Sequence, residues 1–188
     1  MKRRVIFAIE ALLLAGLLIG PTMAVVAKDL TAAEKRMKID NITKDNIARL
    51  KEKSVDAKTL YDKAYGYAVF TDTKVAFGLS GGGGIGEAVA KNSSNKTYMK
   101  MATGGVGLGL GVQKSEVIFL FETKEVFDNF VQKGWQAGAG ANAAVGEAGA
   151  NKAVGFKNGM AIYQFTKKGL LVAADVSGSK YWKDDELN

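Results

Sequence analysis

The chain has 188 residues, 47% of them hydrophobic, with 23 glycines and a formal net charge of +7. That length fits one domain plus a targeting segment, with enough apolar material for a core. There is no cysteine and no histidine, which excludes disulfides, thiol nucleophiles, Cys/His zinc sites, imidazole bases and His-ligated haem. Chemistry is left to carboxylates, lysines, tyrosines and hydroxyls, so neither a cofactor nor an enzyme is expected.

Met1 to Arg4 form a positive start, and Val5 to Gly20 are apolar apart from Glu10. Pro21 and small residues follow, with signal-peptidase-like positions at Ala24 and Ala27. Residues 1–27 therefore read as a cleavable signal peptide, and the expected destination is the periplasm or the exterior, with peripheral attachment to a membrane. Cleavage removes three basic residues and one acid, lowering the net charge from +7 to +5.

The mature chain, residues 28–188, reads as a single domain with a helical start over 28–64. Thr31 followed by Glu34 is a capping-box pattern. Asn41 to Thr43 and Ser54 to Asp56 are expected to interrupt the helix. Its basic residues Lys35, Arg36, Lys38, Lys44, Arg49, Lys51 and Lys53 alternate with acids. A solvated, ion-paired face explains this pattern, and so does a helix lying on anionic lipid.

From Tyr65 the residues alternate in the manner of strands. A short strand ends at Phe70, and Thr71 to Thr73 read as a turn. Further strands follow from Val75, with a hairpin turn at Asn92 to Asn95. Lys114 and Ser115 read as a break before the strand Glu116 to Glu122, which is apolar enough to be covered on both faces. Thr123 is the expected N-cap of a helix over 123–133, with Val126, Phe127 and Phe130 buried and Gly134 ending it. Small-residue sheet is expected over 135–153. A hairpin turns at Lys167-Lys168, and 181–188 reads as a short amphipathic tail.

The organising stretch is Gly104 to Val112. At strand periodicity Val106, Leu108, Leu110 and Val112 share one face, while Gly105, Gly107, Gly109 and Gly111 leave the other bare. Four bare positions imply a close neighbour: another part of the chain, or an apolar ligand in a groove. Gly81 to Gly86 contain the spacing G-x-G-x-x-G, but no helix follows and no acid stands about 20 positions on, so nucleotide binding is not expected. A bulged or sharply bent strand is expected instead. Glu87, Glu147 and Asp175 are the acids set within small-residue strands. Facing solvent they are structural, and converging in a cleft they would suit a hydrolase. No basic run carries interleaved aromatics, so nucleic acid is not an expected partner.

Several stretches together resemble a known family. Ala64 to Phe70 (AYGYAVF), Phe77-Gly78 with Gly81 to Gly84, Gly107 to Gln113, Glu116 to Leu120, Lys168 to Leu171 and Gly178-Ser179 occur in the order and spacing of the SYLF, or Ysc84-type, lipid-binding family. The resemblance covers roughly residues 50–187. It implies a lipid-binding domain with a phospholipid or membrane surface as partner, and membrane contact through an amphipathic N-terminal segment.

The expected architecture is α+β. A mostly antiparallel, strongly bent Gly-rich sheet, or a partly closed barrel, packs with N-terminal helices and one internal helix. The expected function is non-enzymatic lipid binding at the cell envelope. Lys35, Arg36, Lys38, Lys44, Arg49, Lys51, Lys53, Lys167 and Lys168 would meet headgroups, and Gly105, Gly107, Gly109 and Gly111 would line an apolar groove. A structural or protein-interaction module is the alternative.

Overall fold

The computed structural model describes residues 30–93, 95–137, 155–167, 169–172 and 178–188. The expected signal peptide, most of the 135–153 segment, Glu147, Lys168 and Asp175 lie outside the described residues.

Helix α1 (Ala32–Lys53) begins at the capping box. The Thr31 amide donates to Glu34 Oε2 at 2.7 Å, and the Glu34 amide donates to Thr31 Oγ1 at 3.2 Å, satisfying two donors that no helical carbonyl can reach. α1 runs unbroken through Asn41 to Thr43, against the expected interruption. Thr43 and Asn46 are buried with Ile39, Ile47 and Leu50, and this packing outweighs their weak helix propensity. The break at Ser54 is real. Ser54 is extended, and its side chain accepts from the Ala57 amide to start α2 (Val55–Lys63).

Two very long strands follow, β1 (Gly66–Ala90) and β2 (Asn95–Phe121). They pair antiparallel from Gly66↔Phe121 to Ala90↔Asn95 around the expected hairpin turn. The expected turn at Thr71 to Thr73 and the break at Lys114-Ser115 do not occur, because these residues pair with each other across the ladder, Thr71 with Glu116 and Thr73 with Lys114. Each side's polar stretch satisfies the other's backbone. The ladder's register shifts between Phe77 and Leu79, so the expected bulge lies just before the glycine run.

The ribbon folds back on itself at that shift. Added Cβ atoms on Gly82, Gly84 and Gly86 would overlap the carbonyl oxygens of Thr73, Thr71 and Val69 respectively, and one on Gly66 would meet Val89 O at 2.7 Å. The Lys91 amide also donates to Tyr65 O at 3.1 Å. Val69 and Gly86 would stand about 56 Å apart along a straight strand. Their contact therefore requires the strand to double over, with its crest near residues 77–79.

Helix α3 (Lys124–Lys133) has the expected caps, with Thr123 accepting from Val126 N and Gly134 at φ 72°. Its Phe127 and Phe130 join Phe70, Phe119, Phe121 and Tyr181 in an aromatic core between the doubled ribbon and α3. A second cluster packs α1 and α2 on the other side, through Ile47, Leu50, Leu60, Val69, Ile118, Tyr163 and Phe165. Residues Val117 to Phe121 are thus covered on both faces, as expected.

The remaining strands are β3 (Trp135–Gln136), β4 (Met160–Thr166), β5 (Gly169–Val172) and β6 (Ser179–Lys183). The sheet order is β3-β6-β2-β4-β5, with β1 on β2, and every pairing is antiparallel. The class is α+β, and this order does not close into a barrel. The expected amphipathic tail is corrected. Ser179 to Lys183 form a strand paired with both β2 and β3, and Tyr181 is fully buried. After it, Asn188 Nδ2 donates to Tyr98 O at 2.7 Å and Arg36 Nε donates to Leu187 O at 2.8 Å.

Candidate functional site

The doubled ribbon leaves its crest outside both cores. Val75 pairs with Val112 and Phe77 with Leu110, so strand alternation puts their side chains on one face. They do not pack. Phe77 is 81% exposed, Leu110 80% and Leu79 73%, and Val75 and Val112 are also exposed. Leu171 and Lys167, beside the β4–β5 turn, join Val112, Gln113 and Thr166 in a cleft of about 420 Å³. Single exposed apolar residues are ordinary, whereas a cluster of this kind marks an interaction surface.

β1 has no carboxylate from Thr73 to Gly86, and β2 has none from Asn95 to Ser115. The cations beside the crest are Lys74, Lys114 and Lys167. Lys74 approaches Asp72 at 3.8 Å. Lys114 and Lys167 are exposed and have no ion pair among the described residues.

Below the crest, α1 crosses the ribbon and encloses a cleft of about 500 Å³. It is lined by Lys38, Asp45 and Arg49 from the helix and Asp72, Lys114 and Glu116 from the strands. The basic residues expected on α1 divide here into two sets. Arg36 holds the C-terminus. Arg49 stacks 3.8 Å above the Phe165 ring and reaches Glu116 at 3.8 Å. Lys51 lies over the Tyr61 ring and Lys53 is 3.6 Å from Glu52. Lys35, Lys38 and Lys44 have no such engagement among the described residues. The helix turns only part of its charge outward.

The glycine face of β2 is open at Gly105 and Gly111. A Cβ on Gly111 would meet nothing within 4 Å, and one on Gly105 only Ser80 Oγ at 3.5 Å. The expected close neighbour is absent at both positions. Gly107 and Gly109 belong to the same strand. The glycines that do admit a close approach are Gly82, Gly84 and Gly86 of β1. Both glycine runs looked alike as patterns, and only the folding-over of the ribbon separates them.

Of the three acids singled out, Glu87 alone is described. It does not face solvent. It is 1% exposed, and its Oε2 has no hydrogen bond. Lys96 Nζ lies 3.8 Å away and also 2.8 Å from Asp40 Oδ2, while Tyr98 Oη donates to Asp40 Oδ1 at 3.0 Å. Burial pushes the Glu87 carboxyl above its ordinary value, with Lys96 opposing. Burial would also raise Asp40, but hydrogen bonds from Lys96 and Tyr98 hold it below. Burial drives the nearby Tyr67 hydroxyl up to about 12, reinforced by Tyr61 and Glu87.

Sequence reasoning missed Asp72. It is 2% exposed beneath the fold, and neither of its carboxylate oxygens has a hydrogen bond. Burial raises it above 3.8 against the pull of Lys74. Its place in an assumed turn concealed it. No group of three or more acids that could hold a metal ion occurs among the described residues. No helix among them is long and apolar enough to cross a membrane.

Comparison with known proteins follows the sheet. Residues 102–188 match the family model described as "Ysc84: Las17-binding protein actin regulator". That span includes most of β2 and everything after it. The chain is also 41% identical over 157 residues to "Beta cell expansion factor A" of Aeromonas veronii, a match covering 84% of this chain and 60% of that protein. The chain thus spans about three fifths of that relative's length. Residues 102–188, most of β2 and all that follows, thus match the Ysc84 (SYLF) domain.

Proposed function

We propose that the protein is a non-enzymatic, exported lipid-binding protein that attaches to anionic phospholipid at the bacterial cell envelope. The observation that carries this reading is the cleft that exposed Lys38 of α1 and Lys114 of β2 both line, beside Arg49 and the carboxylates Asp45, Asp72 and Glu116. A phosphate headgroup there would be drawn by the two ammonium groups, which come from separate elements. Lys35 stands one turn before Lys38 on the helix, whereas Lys44 lines a separate cleft. Each such cation contributes about 1 kcal/mol near a strongly anionic surface. The resemblance of AYGYAVF and the glycine strands to the SYLF lipid-binding family, with the domain match over residues 102–188, supports the same reading.

The test is co-sedimentation of the chain lacking residues 1–27 with vesicles of phosphatidylglycerol and phosphatidylcholine, against phosphatidylcholine alone. Binding to the anionic vesicles that weakens at least fivefold in Lys38→Glu/Lys114→Glu is the expected result. Equal binding to both vesicle types, or an unaffected variant, refutes the electrostatic attachment. The alternative is a protein-interaction module, favoured by the matched family's description, which names a protein partner. It predicts no binding to either vesicle type.

A further inference from the structure

We propose that the crest of the doubled β1–β2 ribbon is a membrane-inserting element, which dips Phe77, Leu79 and Leu110 into the acyl region of an anionic bilayer. The proposal rests on the lipid-binding reading and adds the element that enters the lipid, which is not the basic helix.

The position of the crest is the first argument. The contacts Gly66/Val89, Val69/Gly86, Thr71/Gly84 and Thr73/Gly82 close in from both ends of β1 toward the shift between Phe77 and Leu79. The largest exposed apolar side chains therefore sit at the point of reversal, farthest along the strand from the paired ends. β2 gains its other partners only at 99–103 (β6) and 116–121 (β4). Among the described residues, the strand between those stretches is laddered with β1 alone. A two-stranded ribbon keeps outward-pointing backbone groups on both edges, so the crest lowers its apolar side chains past the headgroups while its edges stay hydrated.

The second argument is charge. The crest carries no carboxylate between Thr73 and Gly86 or between Asn95 and Ser115. Lys74 and Lys114, paired with Gln113 and Thr73 respectively, stand at its base, and Lys167 flanks Val112 and Leu171. An apolar tip with a cationic base matches a bilayer with a negative surface and an apolar interior. A second copy of the chain would present the same cations to one another. Charge complementarity therefore favours anionic lipid as the occupant over self-association.

The protein has no cysteine, so a single introduced thiol labels one site. The experiment attaches an environment-sensitive fluorophore to Phe77→Cys and, separately, to Lys133→Cys on α3, both in the chain lacking residues 1–27. Vesicles of equal parts phosphatidylglycerol and phosphatidylcholine are added, with and without spin-labelled acyl chains. The expected result is a blue shift at position 77 and at least a twofold quenching by the acyl-chain label, with no change at position 133. Phe77→Ser/Leu110→Ser is expected to lose at least tenfold in binding at high salt. Phe77→Trp should retain it. All these positions are exposed, and an unchanged thermal midpoint verifies the fold.

Sedimentation with vesicles but no response at position 77 overturns the insertion while leaving lipid attachment through the helix standing. No sedimentation at all removes both. A response at position 77 without vesicles, together with a doubling of mass in solution, overturns the proposal in favour of a second copy at the crest.

Discussion

Gly84 lies directly against the carbonyl oxygen of Thr71, thirteen positions earlier in the same strand, with no room for a Cβ between them. This approach lets β1 double over, sets the aromatic core beneath the fold and leaves the crest in solvent. Gly84→Ala is expected to cost about 3 kcal/mol or more, since backbone rather than a flexible side chain must give way. Gly105→Ala meets only Ser80 Oγ at 3.5 Å and is expected to be neutral or to stabilise by up to about 1 kcal/mol. Chemical denaturation of the two variants measures the contrast, and equal losses would contradict the doubled strand.

Asp72 makes stability depend on pH. Burial raises its carboxyl above 3.8 in the folded chain, against the opposing pull of Lys74. The neutral form is therefore favoured by folding. Its contribution is fully present below the unfolded value and is lost as pH rises through the folded one. Asp72→Asn stays neutral throughout. The stability of the variant relative to the native chain should increase as pH rises from 4 toward 7, measured by urea midpoints at matched salt. Parallel curves would show that Asp72 ionises in the fold without penalty.

The C-terminus is fastened to the first helix by the Arg36 Nε donor on Leu187 O, at 2.8 Å and half-buried. Arg36→Ala is expected to cost about 2 kcal/mol, as for hydrogen bonds from charged donors. Amide hydrogen exchange should speed first at Leu187 and in the first turns of α1. Faster exchange confined to α3 would contradict the link.

Arg49 depends on its plane as well as its charge. Its guanidinium lies 3.8 Å over Phe165 and 3.8 Å from Glu116. Arg49→Lys keeps the charge but loses the stacking, and is expected to destabilise by about 1 kcal/mol. Adding Glu116→Gln should cost little more, because that pair is partly exposed. A thermal midpoint unchanged in Arg49→Lys would assign Arg49 to the solvent.

Local chemistry was legible wherever a few neighbouring residues satisfy one another. The capping box at Thr31 and Glu34, the cap at Thr123 with Gly134 after it, and the turn between Ala90 and Asn95 each appear in the fold at the expected positions. Polar residues inside long elements misled the reading. Thr71 to Thr73 and Lys114-Ser115 resemble breaks when taken singly, but they are cross-strand partners. Asn41 to Thr43 likewise stay helical because the ribbon packs beneath them.

By itself the sequence determined the α+β class, the helix caps at Thr31, Ser54 and Thr123, the hairpin and the absence of thiol and imidazole chemistry, since all of these rest on residue type and short-range hydrogen bonding. Only the tertiary structure decided which glycines meet backbone and which face open space. It also decided which of the helix's cations are already engaged, and that Phe77 and Leu110 stay exposed while Phe70 and Phe119 are buried. Those outcomes turn on where a 25-residue strand reverses. A period-two pattern continues unchanged through that reversal, so it gives no sign of which stretch will be covered.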